Sequence, residues 1–160
     1  MIQHISKISV VTIWICFLFF PGVIRAQENP LTKAIQLFDK KKFTEAEEAF
    51  KKLIDAKPGD FMINYFYGAC RTENGHYSDE DLNYLEIAGK EVYPIDIDYY
   101  FGVQYHAKNL FNKALIHYNS FRKVASDDEI KRVNLTEKIN FCEQRINPFK
   151  TEDLNPETDS

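Results

Sequence analysis

Three stretches decide the fold: residues 34–50, AIQLFDKKKFTEAEEAF; residues 68–84, GACRTENGHYSDEDLNY; and residues 102–118, GVQYHAKNLFNKALIHY. Each begins 34 positions after the one before, without a gap. Ala34, Gly68 and Gly102 form one column of this ladder. Phe43, Tyr77 and Phe111 form a second, and Phe50, Tyr84 and Tyr118 a third. Self-similarity at this period is the sequence signature of stacked helix-turn-helix units, each too small to bury its apolar face alone. An all-α chain follows from it, and the functional question turns towards binding.

The apolar spacing places the helices. Leu31, Ile35 and Phe38 recur at i, i+4 and i+7, and Ala46, Ala49, Phe50, Leu53 and Ile54 make the broader stripe of a second helix. Lys40, Lys41 and Lys42 separate the two as a polar turn. The second unit pairs residues 60–74 with 79–91 across Gly75, and the third pairs 95–108 with 113–125. A seventh helix is expected to open at Ser126 and to carry Ile130, Val133, Ile139, Cys142 and Ile146. It closes the apolar end of the stack, and Asn147–Pro148 stops it. Thr44 with Glu47 and Ser126 with Glu129 have capping-box spacing. Moved along by one and two periods, Thr44 becomes Ser78 and Asn112, so all three are expected N-caps.

The small column has a packing reason: side chains this short let two helices approach, and a neighbouring aromatic fills the space beside them. The repeating rings therefore read as core, not as a cofactor site. Cys70 and Cys142 fall two periods apart, where stacked repeats do not touch, and are expected as buried free thiols.

The ends of the chain read differently. Lys7 precedes an apolar run over residues 8–20, followed by Pro21–Gly22 and Ile24–Arg25–Ala26. This order describes a secretory signal peptide over residues 1–26, cleaved after Ala26. The run is 13 residues, short of the roughly 20 that cross a bilayer as a helix. Residues 150–160 hold one leucine and four acids and are expected to be disordered. Between them lies one domain, residues 27–149. Without residues 1–26 the chain has 18 basic and 24 acidic side chains, a net charge of −6. That balance argues against nucleic acid, which demands a basic stripe.

Catalysis has little to stand on. His76, His106 and His117 lack a second ligand at zinc-protease spacing, and no glycine-rich phosphate loop or G-x-S-x-G elbow occurs. We therefore expect no catalytic residue, no metal and no cofactor.

The spacing of small and aromatic residues resembles the tetratricopeptide repeat over residues 29–125. In the first unit Ala34, Leu37, Phe43, Ala46, Phe50, Leu53 and Pro58 fall on the family's signature positions, as do Gly102, Tyr105, Phe111, Ala114, Tyr118 and Phe121 in the third. The second matches at Gly68, Tyr77, Tyr84 and Ile87, but Arg71 stands at an aromatic position and Glu80 at a small one, with its proline displaced to Pro94. The resemblance implies a right-handed α-solenoid of three units, about 27–60, 61–94 and 95–128, with a capping helix at about 128–146.

It also implies a concave groove on the first helix of each unit. Carried over, the inward positions are Leu31, Ile35 and Phe38; Met62, Tyr65, Ala69, Thr72 and Glu73; then Asp96, Tyr99, Val103 and His106. An apolar, aromatic groove with acidic spots suits a peptide or partner helix; the alternative is that some of these side chains are buried against a flanking helix. The lysine–asparagine clamp of chaperone-binding members is missing, since Ile35, Tyr65, Ala69, Tyr99 and Val103 stand in its place. A signal peptide before such repeats also resembles the amino-terminal part of Gram-negative envelope proteins that continue into a β-propeller and an outer-membrane-protein-A-like domain. Neither later domain is in this sequence, so peptidoglycan binding does not carry over. The implied role is a non-catalytic periplasmic or outer-membrane-associated adaptor for an envelope protein or peptide, with self-association in a secretion or motility assembly as the alternative.

Overall fold

The computed structural model describes residues 29–91, 94 and 96–148. The expected signal peptide, its cleavage point and the acidic tail lie outside the described residues. Among the described residues there are eight helices and no strand, so the chain is all-α. In chain order they are α1 Pro30–Asp39, α2 Phe43–Ala56, α3 Phe61–Glu73, α4 Asp79–Ala88, α5 Ile97–Ala107, α6 Phe111–Arg122, α7 Asp127–Arg132 and α8 Leu135–Ile146. Successive helices pack on one another from α1 to α6, α1 also touches α3, α3 touches α5, and α8 lies on α6. No helix among the described residues is long and apolar enough to cross a membrane.

The 34-residue period is written into the backbone at the turns. Lys41, Gly75 and Asn109 all adopt left-handed φ values, 58°, 84° and 58°. Each ends a first helix with the same bond pair: Lys42, His76 and Leu110 N–H reach Leu37, Arg71 and Tyr105 C=O at 3.0, 2.9 and 2.9 Å. Lys41, Gly75 and Asn109 N–H reach Phe38, Thr72 and His106 C=O at 2.8, 3.1 and 2.9 Å. This is the Schellman closure, in which two orphan carbonyls are satisfied by a residue in the left-handed region. Only one of the three sites is the glycine that such a φ favours.

Those turns overturn two expected caps. After Lys41 and Asn109 the chain enters the next helix at once, so α2 starts at Phe43 and α6 at Phe111, with Lys42 and Leu110 as caps that give no side-chain bond. Thr44 and Asn112 thus lie inside their helices and cap nothing. Glu47 faces α3 instead, accepting from Arg71 and Asn74. Ser78 does cap α4, in a full capping box with Asp81, and Ser126 caps α7 with Glu129 as expected.

The small column does what its size suggests. A Cβ on Gly102 would sit 2.3 Å from the Tyr118 ring, and Tyr118, Phe50, Ala34, Ala46 and Ala114 are all buried. In the middle pair the partner changes: Gly68 faces Leu85 at 2.8 Å, while Tyr84 is half-buried and hydrogen-bonds Glu80 through its hydroxyl. Helix α4 begins two residues later in the period than α2 or α6, and its buried Asp81 and Leu85 lie one position beyond the columns of Ala46 and Phe50, while Ala88 keeps the column of Ile54. Arg71 bonds Asp81 at 2.6 Å and Glu47 at 3.0 Å, which ties α2, α3 and α4 together. Burial disfavours the Asp81 charge, but hydrogen bonds from Ser78 and Arg71 outweigh it and hold the carboxyl below the usual range.

The expected single terminal helix is two. Asn134, at φ 52°, breaks it between α7 and α8, a conformation Asn tolerates better than most side chains. The break lets Leu135, Ile139 and Cys142 bury against α6 while α7 turns aside. Cys70 and Cys142 are free and buried in separate clusters of the core. Burial pushes the Cys70 thiol up to about 12 and raises Cys142, so neither is a ready thiolate.

Candidate functional site

A cavity of about 410 Å3 opens where the first helices meet the chain's broken last turn. The end of α1 and its turn supply Phe38, Asp39 and Lys41, and Phe43 opens α2 beside them. Glu73 ends α3, and Asp96, Tyr99 and Tyr100 come from the start of α5. Phe121 of α6 forms one wall, and Arg132, Val133 and Asn134 close the far side. Aromatic rings thus stand beside charges of both signs.

Local structure explains why these groups converge. The left-handed turn at Lys41 and the one at Asn134 both end helices here, so each presents its neighbours at the mouth instead of continuing away. Tyr99 packs against Tyr100 and Phe121, with ring centroids at 5.3 and 5.6 Å, which makes a stiff wall of low rotamer freedom. Asp96 accepts from the Tyr65 hydroxyl at 2.5 Å. Burial, then the nearby Asp96 charge, raises the Tyr65 phenol far beyond its ordinary value, so Tyr65 is a fixed neutral donor.

Glu73 is different. It is exposed at the cavity and makes no side-chain hydrogen bond or ion pair with another described residue. Desolvation raises its carboxyl above the usual range; Lys138, Arg132 and Lys41 oppose this from a distance, and Asp96 adds to it. Lys41 and Arg132 likewise form no ion pair with a described residue. Desolvation pushes the Tyr99 phenol up to about 12, and the Glu73 charge adds to that.

The structure gathers only part of the expected groove. Phe38, Glu73, Asp96 and Tyr99 line the cavity. Leu31 and Ile35 pack on the first core cluster and Val103 on the third, while Met62 is 40% exposed away from the cavity lining. Tyr65, Ala69 and Thr72 are buried, because α5 covers that side of α3. Gln104 of α5 donates to Thr72 Oγ1 and to the His76 carbonyl, both at 2.8 Å, which shows how close the cover is. His106, expected on the inward face, is half-buried. It stacks on Phe141 at 5.0 Å, and its Nδ1 lies 3.3 Å from the Tyr118 hydroxyl and 3.7 Å from Cys142 Sγ. Burial, with Lys138 nearby, lowers its pKa and favours the neutral ring.

Lys41, Arg132, Val133 and Asn134 were not foreseen as site residues, and through Lys41 and Arg132 the cavity carries positive charge beside the aromatic and acidic groups that were expected. The signal for Asn134 was weak but present, an asparagine in an otherwise regular amphipathic run. Among the described residues no group of three or more His, Cys, Asp or Glu side chains is placed to hold a metal. No family model matches this chain, and no curated protein or solved structure does either.

Proposed function

We propose that this chain is a non-catalytic binding scaffold whose cavity between α1, α3, α5 and the α7–α8 turn receives a protein or peptide partner. On this reading the helices form a right-handed α-solenoid of three tetratricopeptide-like units, closed by α7 and α8 in place of one capping helix. The observation that carries it is the cavity itself: aromatic walls and charges of both signs brought together from six helices and two turns. The Schellman turns at Lys41, Gly75 and Asn109 support the repeat reading, because turn geometry returns with the sequence period. Export to the cell envelope is part of the proposal and rests on the apolar run over residues 8–20.

The test is a charge reversal at two exposed positions, Glu73→Lys with Arg132→Glu. Both side chains are exposed, so the helical circular dichroism should be kept while capture of the envelope partner is lost. Undiminished capture of the same partner would contradict the proposal.

Self-association is the second reading. It is favoured by Ile116 and Val124, 64% and 61% exposed near each other in sequence on and just after α6. Sedimentation across a concentration series separates the two, since an adaptor with this cavity stays monomeric without its partner.

A further inference from the structure

Helix α8 covers the apolar face of α6, and a joint of residues that do not line the cavity holds it there. His106 of α5, Tyr118 of α6 and Phe141 and Cys142 of α8 meet at this joint. The imidazole stacks on Phe141, with ring centroids 5.0 Å apart, and stands edge on to Phe111 and Tyr118 at 5.8 and 6.1 Å. Its Nδ1 is where the three helices converge, 3.3 Å from the Tyr118 hydroxyl and 3.7 Å from the Cys142 thiol. Burial raises both the phenol and the thiol, so each keeps a proton to give, and the neutral ring accepts at Nδ1 with its own proton on Nε2.

A protonated ring meets no opposite charge here. No carboxylate pairs with His106 among the described residues. The charge that acts on it is the cation of Lys138 on α8, and a second cation of α8, Arg145, lies over the Phe141 ring at 5.0 Å. A proton on Nδ1 removes the acceptor that Tyr118 and Cys142 share. The Tyr118 oxygen can take the new N–H, but nothing then offsets a cation on α5 set against two on α8.

We propose that His106 is a proton switch for the docking of α8: the neutral ring clasps α8 to α5 and α6, and protonation releases it. The release reaches the cavity through the chain, since Val133 and Asn134 of its far side run directly into Leu135, which is buried against α6. As a control on partner binding this rests on the cavity being the partner's seat; the release of α8 does not. Folding holds the ring below its ordinary value, through burial and then Lys138. The clasp is therefore complete above the unfolded imidazole value of about 6.5 and is lost as pH falls through the folded one.

Amide exchange of the full chain, followed residue by residue from about pH 7 to about pH 5 and corrected for intrinsic rates, reads the switch. Protection at residues 139 and 142 of α8 should fall several-fold, while that at residue 69 of α3 holds. His106→Gln keeps an acceptor and does not titrate, so it should abolish the fall. Glu73→Gln should leave it, although Glu73 also feels Lys138. Should His106→Gln fail to fold, the ring proton signals of His106 in the unaltered chain decide. They should titrate below about 6.5, and the loss of α8 protection should level off at that same pH. Constant α8 protection, an equal fall at residue 69, a fall that survives His106→Gln, or one that Glu73→Gln abolishes would each overturn the switch. Constant protection would leave the binding-scaffold reading intact. A fall confined to α8 with no protein captured from position 73 would sink that reading and leave this one.

Discussion

The middle helix pair, α3 and α4, and the third pair, α5 and α6, begin from the same 34-residue template and are held together by opposite means. In the third, a glycine admits a ring: Gly102 takes the face of Tyr118, with Ala114 and Phe121 buried alongside. In the middle, an ion network does the joining, with Arg71 between Asp81 and Glu47, Ser78 on Asp81, and Asn74 on Glu47. Its ring, Tyr84, has moved outward, and Tyr77 is 39% exposed. A gapless sequence period therefore does not guarantee a constant structural register. A one-residue shift is enough to set a polar network beside the apolar contact of Gly68 with Leu85.

The largest effect that can break this comparison is ring truncation. Tyr118→Ala should cost about 3–5 kcal/mol, as buried aromatics do, while Tyr84→Ala, its column mate, should cost about 1 kcal/mol. Chemical denaturation of both variants checks the difference, and equal losses would erase the distinction between the pairs. Arg71→Ala comes next, at about 3 kcal/mol, because it leaves the Asp81 carboxylate buried without its cation. The same network predicts a pH dependence. Since the folded Asp81 carboxyl lies below its unfolded value, its contribution is present above the ordinary carboxylate range and is lost as pH falls through the folded pKa. Asp81→Asn should flatten that part of the stability profile.

Smaller and more discriminating is the glycine pair. Gly102→Ala should destabilise by about 1–3 kcal/mol, because the Tyr118 ring cannot retreat from a Cβ at 2.3 Å. Gly68→Ala meets Leu85 Cδ2 at 2.8 Å, Leu85 Cγ at 3.1 Å and Tyr84 Cβ at 3.3 Å, a milder clash that the helix propensity of alanine offsets by about 1 kcal/mol, so its loss should be the smaller of the two. Thermal melts of the two variants would sharpen the contrast. The smallest effect belongs to Glu73, whose raised carboxyl reverses the usual sign: its ionisation costs folding stability, so stability is lost as pH rises through the raised pKa. Glu73→Gln should melt slightly higher at pH 7 and no differently well below the carboxylate range. A group that folding would do better without is consistent with one kept for binding.

Much of this was legible in the sequence because size and periodicity act locally. Ala34, Gly68 and Gly102 announced close approach, Phe50 and Tyr118 announced burial, and the Ser126–Glu129 spacing announced its capping box. What was illegible depends on a choice between chemically adjacent neighbours. Glu80 or Asp81, and Tyr84 or Leu85, could each have turned inward, and only the later start of α4 decides it. Thr44 and Asn112 failed as caps because the left-handed turn just before them feeds the chain straight into the helix. The site was half legible for a related reason. Phe38, Glu73, Asp96 and Tyr99 were implied by the tetratricopeptide resemblance, but Arg132, Val133 and Asn134 arrive through a break that it does not contain, and Tyr65 and Thr72 are covered by α5.

The central claim, that this cavity is the contact surface, is tested most directly by placing a photo-crosslinking residue at position 73 in the living cell and identifying what it captures by mass spectrometry. The account predicts one dominant protein adduct from position 73 and none of that protein from Ile116, on the exposed side of α6. Capture of the same protein from position 116 and not from 73 would contradict it.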